Sequence, residues 1–277
     1  MSEGPDRAAR TIFCCVDESP LASAVAYAAA GFALQLGASV VLIRSAPEIS
    51  GSDLTKLQLQ AELEQLSEQT IQTPTGQRVQ TRIVLTVSPL LDAVRALASA
   101  TPPDLVIMGT RGRGRLRRAM FGSSALSMMR ETGLPLLVVP PDGPEIIAVL
   151  PDGEPYCHVG HVLIPVDCGP NTPPQIALAS MLLGMKACEG VLLHVAPTAD
   201  GIAARRGDLD AMHATLNAKG SVSTRLVQGD PRRVLREELA RGSYGLAILG
   251  RDRHRAGDIA SELLRESSAM ILVAPPA

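Results

Sequence analysis

The sequence predicts an α/β chain made of two tandem doubly wound units, each a parallel sheet between helices. Three observations carry this reading. The chain has 277 residues, which at roughly 100–200 residues per domain means two domains or one large one. Short, continuous Val/Ile/Leu runs alternate with helical stretches, the pattern of strands covered on both faces. The second half also repeats the first. TIFCCVDESP at 11–20 resembles HVLIPVDCGP at 161–170, and VVLIRSAP at 40–47 resembles GVLLHVAP at 190–197. Asp17 and Asp167 stand 150 apart, as do Pro47 and Pro197. The offset falls to 141 between Gly109 and Gly250, and to 135 between Pro140 and Pro275. The second copy has therefore lost nine residues before its fourth strand and six more after it.

In the first copy the apolar runs place strands at 11–16, 39–45, 79–86, 104–108 and 135–139, with helices at 20–36, 52–72, 89–100 and 123–132. In the second, strands fall at 161–166, 190–195, 221–227, 245–249 and 269–273, with helices at 172–188, 208–218, 231–241 and 257–267. Such βαβα alternation gives an open parallel sheet with right-handed crossovers. The units are bounded at 1–141 and 161–277. Between them, the Pro and Gly of 142–160 mark a linker, whose IIAVL run either adds an edge strand or covers one.

Composition excludes several classes. An apolar fraction of 46% with 19% charged residues rules out a disordered chain. Three Tyr, three Phe and no Trp cannot furnish the stacking platforms of single-strand nucleic-acid binders. A net charge of −2 draws the chain to neither nucleic acid nor anionic membrane. The uncharged run 24–43 is long enough to span a bilayer, but Gln35, Gly37 and Ser39 divide it into helix, glycine turn and strand, so no membrane association is expected. The N-terminus lacks the basic and apolar regions of a secretory signal. Five cysteines without a CxxC pair fit a reducing compartment, and the reading is cytoplasmic. Cys14 and Cys15 lie in an apolar run and read as core thiols.

In open α/β sheets, ligands bind beyond the carboxyl ends of the strands, near the switch in strand order. Two features of the first copy fall there. Asp17 directly follows the first strand. The run GTRGRGRLRRAMFGSS at 109–124 follows the fourth strand and opens a helix. Gly109, Gly112, Gly114 and Gly122 let the backbone approach a ligand closely, and consecutive loop N–H groups form an anion nest. Ser123 and Ser124 begin a helix whose free N–H groups and dipole also favour an anion. Arg111, Arg113, Arg115, Arg117 and Arg118 add five positive charges with no acid among them. A phosphate chain suits this loop, although such a loop also reads as a solvated connection. The Walker A pattern and GxGxxG are both absent.

The spacing Gly109-x2-Gly112-x9-Gly122-Ser123 resembles the nucleotide motif of the universal stress protein family, G-x2-G-x9-G-[S/T]. The first strand ending in Asp, the DLVIMGTRG segment and the closing LPLLVVPP resemble that family in order and spacing. The likeness covers about 10–141 and, more weakly, 161–276. It implies two Rossmann-like (HUP-type) domains, each a five-stranded parallel sheet of order 3-2-1-4-5. It also implies ATP, with or without Mg, as ligand. Asp17 would then lie near the adenosine side or the metal. Met108 and Gly109 would line the ribose and phosphate entry. Gly112, Gly122, Ser123 and Ser124 would hold the phosphates, with Arg111 in the same loop. The family often meets adenine with a backbone group at the end of strand two, which falls at Ser45 here in place of the more usual Val. Family members also dimerise through the last strand, at 136–139 here. The second copy's 271–273 would mimic this within one chain as an intramolecular pseudo-dimer, and a homodimer of whole chains stays open.

The second copy departs from the motif. Arg253 stands where the second glycine belongs, the loop is six residues shorter, and Asp258-Ile-Ala-Ser replaces Gly-Ser-Ser. A carboxylate there repels phosphate, so this copy reads as a degenerate partner, although it keeps a family-like Gly229-Asp230-Pro231 where the first copy has Val87-Ser88-Pro89. Cys157-His158-x-x-His161 with Cys168 lacks the two close ligand pairs usual for structural zinc. His194 lies in a strand and reads as a core or rim histidine. Five clustered arginines suit a salt-sensitive nucleic-acid contact, which the composition argues against. The run 57–66 is a sheet-covering or partner-facing helix. No residue is identified that would orient a water for hydrolysis. The function expected is that of an ATP-binding stress-response or regulatory protein. A nucleotide-free scaffold or protein-interaction module and a slow ATP hydrolase are the alternatives.

Overall fold

A computed structural model describes residues 10–47, 53–70, 78–110, 123–141, 146–149, 151, 153, 155–184, 188–241, 243–251 and 259–277. The first half runs β1 (Thr11–Val16), α1 (Ala22–Leu36), β2 (Ser39–Ser45), α2 (Asp53–Thr70), β3 (Thr81–Thr86), α3 (Leu90–Ala100), β4 (Leu105–Gly109), α4 (Ser123–Thr132) and β5 (Leu136–Val139). A short pair follows, β6 (Ile147–Val149) and β7 (Pro155–Cys157). The second half runs β8 (Gly160–Val166), α5 (Thr172–Leu183), β9 (Cys188–Ala196), α6 (Ala199–Asn217), β10 (Ser221–Gln228), α7 (Pro231–Ala240), β11 (Leu246–Leu249), α8 (Ile259–Glu266) and β12 (Met270–Val273).

The strands form one ten-stranded sheet of order β10-β9-β8-β11-β12-β5-β4-β1-β2-β3. Each half has the expected 3-2-1-4-5 order, and all pairs within a half are parallel. The halves meet where β12 pairs antiparallel with β5, Leu272 opposite Leu137. All eight of these residues are buried, as expected of strands covered on both faces.

Helix α1 explains the uncharged run. Its residues are buried nearly all round, from Val25 to Leu36. One side lies on the sheet. The other receives the β6–β7 pair: a Cβ on Gly31 would stand 3.1–3.3 Å from Ile146 and Ile147 side-chain atoms. A helix apolar all round is a buried helix. It ends at Gly37 in the left-handed conformation, φ 61°, where no side chain is strained. The segment read as a linker thus forms its own two-stranded sheet instead of joining the main one, and Ile146, Ile147, Cys157 and Val159 enter the core.

Two helices differ from the sequence reading. Helix α5 ends at Leu183, and Cys188 already belongs to β9. Helix α6 begins at Ala199, nine residues before the expected start. The Thr198 hydroxyl caps it by accepting the Gly201 N–H at 3.2 Å. Gly201 and Gly207 lie inside that helix and obscure its period.

Candidate functional site

The strand register brings the expected residues to one edge. β1 lies between β2 and β4, with Val16 opposite Arg44 and Cys15 opposite Met108. Asp17, Ser45 and Gly109 therefore stand together at the carboxyl ends of three neighbouring strands, at the switch point. Asp17 is half-buried, and its Oδ1 accepts the Ser19 N–H at 2.9 Å, closing the turn that leads into α1. Ser45 Oγ donates to the Ser88 carbonyl at 2.7 Å, joining the end of β2 to the loop before α3. Met108 is buried. Gly109 is a glycine for a local reason: a Cβ there would stand 2.7 Å from Leu21 Cδ2.

Helix α4 starts at Ser123 with no acid in its first turn, and Ser124 is exposed. Arg111, Gly112 and Gly122 lie outside the described residues, as do Arg253 and Asp258 of the second half. The structure thus brings Asp17, Ser45, Met108 and Gly109 to one edge. Ser123 and Ser124 open the helix that follows the glycine loop.

Two residues beside this edge escaped the sequence reading. Thr110 follows Gly109, and its N–H donates to the Val139 carbonyl at 3.1 Å. Its hydroxyl is buried with no hydrogen-bond partner among the described residues, an arrangement that a bound polar group would relieve. Arg44 is buried in β2, its Nη1 2.9 Å from Glu62 and its Nη2 3.3 Å from Glu18. The single charge inside VVLIRSAP was the signal available for it.

The second half repeats the frame with other chemistry. Asp167 Oδ1 accepts the Gly169 N–H at 2.8 Å and the Thr172 hydroxyl at 3.1 Å, so this acid closes a turn as Asp17 does. Cys168, in the place of Glu18, is the non-glycine residue with positive φ, 58°, among the described residues. His194, in the place of Arg44, meets the Val166 carbonyl through Nδ1 at 2.9 Å, while its Nε2 is buried without a partner among the described residues. Arg251, in the place of Thr110, is buried and sends Nη2 to the Arg130 carbonyl of α4 at 2.6 Å. Asp230 accepts the Arg233 N–H at 2.9 Å and caps α7, whereas Pro89 before α3 offers no side-chain cap.

Burial pushes the Cys15 thiol up to about 12 and Cys188 to about 11, the latter helped by Glu189. Burial also raises Cys14, with Cys15 adding to it. These are core thiols and poor nucleophiles at neutral pH. No three His, Cys, Asp or Glu side chains among the described residues come together as a metal site. No helix among them is long and apolar enough to cross a membrane.

Residues 8–140 match the universal stress protein family. The first half of the chain belongs to that family. A universal stress protein from Archaeoglobus fulgidus DSM 4304 shares its fold with a TM-score of 0.68 at 12% identity, over 96% of this chain and 96% of the other. A functionally unknown protein from Pseudomonas aeruginosa PAO1 does so with a TM-score of 0.59 at 16% identity, over 97% of this chain and 93% of the other. A universal stress protein in complex with cAMP, 13% identical, covers 43% of this chain and 99% of its own, with a TM-score of 0.38. No curated protein matches the chain. The universal stress protein fold is thus present in two tandem halves, joined through their last strands.

Proposed function

We propose that this universal stress protein is an ATP-binding regulatory protein of the cytoplasm, whose first half, 1–141, holds the nucleotide. The observation that carries the reading is the Gly109-x2-Gly112-x9-Gly122-Ser123 spacing at the switch point. It is supported by the meeting of Asp17, Ser45, Met108 and Gly109 at one sheet edge and by the buried Thr110 hydroxyl, which no described residue meets. In this reading the adenosine lies beside Asp17 and Ser45, Met108 and Gly109 face the ribose, and the phosphates meet the N–H groups at Gly112, Gly122, Ser123 and Ser124. Arg111 and its neighbours neutralise phosphate charge, and any Mg sits on the phosphates near Asp17. A bound nucleotide places an anionic chain against the arginine loop and so changes the charge of the surface offered to a partner protein. The second half, 161–277, is the degenerate structural copy. Binding is the proposed activity, because no side chain is assigned to position a hydrolytic water.

The test is the nucleotide content of the freshly purified protein, released by heat and identified by ion-exchange chromatography with mass spectrometry. One ATP per chain, lost in Gly112→Val, is the expected result. Two per chain would assign ATP to the second half as well. No nucleotide, and none taken up from added Mg-ATP, would leave the scaffold reading in its place.

A further inference from the structure

A cavity of about 220 Å³ opens at the carboxyl edge of the second half. It lies over the ends of β8, β9 and β11, at the second switch point, and α5, α7 and α8 wall it. Leu193, Val195, Leu235, Leu249 and Ile259 make most of its wall apolar. The volume is below the range usual for drug-sized ligands, so it suits a ring-sized guest.

One buried polar side chain distinguishes it. Gln175 on α5 is 2% exposed and lines the cavity. β8 and β11 are paired at Val162–Leu246 and Leu163–Ala247 and part beyond that point. The Gln175 amide spans the gap, donating from Nε2 to the Pro165 and Ile248 carbonyls at 2.7 Å each. Both partners are acceptors, so the orientation of the amide is fixed and Oε1 faces the other way. No described residue donates to Oε1. Gly250 makes room for it, since a Cβ there would stand 3.0 Å from Oε1. In the first half the matching contact of Gly109 is Val25, which has no acceptor.

The charges around the cavity have other partners. Arg251 reaches the Arg130 carbonyl and Arg232 pairs with Glu262. Asp167 presents an exposed carboxylate at the rim, which opposes an anionic guest. We infer that the second half binds a small, uncharged, apolar-bodied organic molecule bearing an N–H or O–H donor, with the donor on Gln175 Oε1 and the body against Leu193, Leu235 and Leu249. A guest whose donor meets Oε1 gains a hydrogen bond while its body is shielded from water by the apolar wall.

The experiment titrates the full chain with benzamide, toluene, benzoate and ATP, following backbone amide resonances of Leu235, Leu249 and Gly250. Benzamide is expected to give saturable shifts there, with toluene about tenfold weaker for want of a donor. Leu235→Trp fills the cavity and is expected to abolish them. Gln175→Leu removes the acceptor and is expected to bring benzamide down to toluene. Where that variant fails to fold, the benzamide–toluene difference and Leu235→Trp still decide. Absence of benzamide shifts, their persistence in Leu235→Trp, equal toluene binding, or benzoate or ATP binding at these resonances as tightly as benzamide would each overturn the inference. ATP in the first half is read separately at Gly109 and Ser124, so either proposal can fail alone.

Discussion

Glu238 is a buried acid that Arg225, Arg241 and Tyr244 all meet directly. It lies on α7 at 4% exposure and takes both Arg225 nitrogens, at 2.6 and 3.0 Å, with the Tyr244 hydroxyl at 3.3 Å. Burial alone would raise its pKa. The Arg225 hydrogen bonds and charge, with Arg241 behind them, outweigh this and hold the carboxyl below its ordinary range. Its contribution to stability is therefore full above the unfolded value of about 4.3 and is lost as pH falls through the lower folded value. Glu238→Gln is expected to cost about 1–3 kcal/mol at pH 7 in urea unfolding. The gap between wild type and variant should close below about pH 4. Such pairs are hidden from sequence, because Arg225 and Glu238 belong to different elements. The place of Asp17 was legible because an apolar strand run closing on an acid is contiguous in the chain. Thr110 and Gln175 were not, because only the finished fold shows which hydroxyl or amide is buried and what it meets.

Among the elements, the β6–β7 pair carries the clearest consequence. Its seat on α1 depends on Gly31 having no side chain, with Ile146 and Ile147 in the space. Gly31→Val is expected to lower stability by about 1–3 kcal/mol through overpacking, read as a shift in urea midpoint. The strands were legible because doubly covered strands are written as unbroken Val/Ile/Leu runs. Helix α6 was not, since two glycines mask its period while a threonine cap and docking on β9 and β10 hold it. The proline- and glycine-containing segment 142–160 read as a linker because three-residue strands are too short to show alternation.

Across the whole molecule, the two large buried clusters each contain residues of both halves, and the main core is shared between them. Calorimetric unfolding of the full chain is expected to show one transition, with calorimetric and van't Hoff enthalpies equal. Arg251→Ala, which removes the bond to the Arg130 carbonyl, should lower that transition as a unit, by about 1.5–3 kcal/mol for a lost charged hydrogen bond. Two separate transitions, or a shift in only part of the signal, would contradict the single-core picture. The edge of β5 that could have recruited a second chain is occupied by β12 of the same chain. Among the described strands, β3 and β10 end the main sheet.

Joining the halves in one polypeptide also releases them from symmetry. In an assembly of two identical chains, every substitution near the twofold axis arrives twice, and the pair must tolerate both copies. Here each change arrives once. Arg44 has diverged to His194, Glu18 to Cys168 and Val25 to Gln175 without disturbing the common frame. A protein engineer can therefore alter one crevice while its counterpart keeps its own chemistry, a separation that no homodimer of this fold permits.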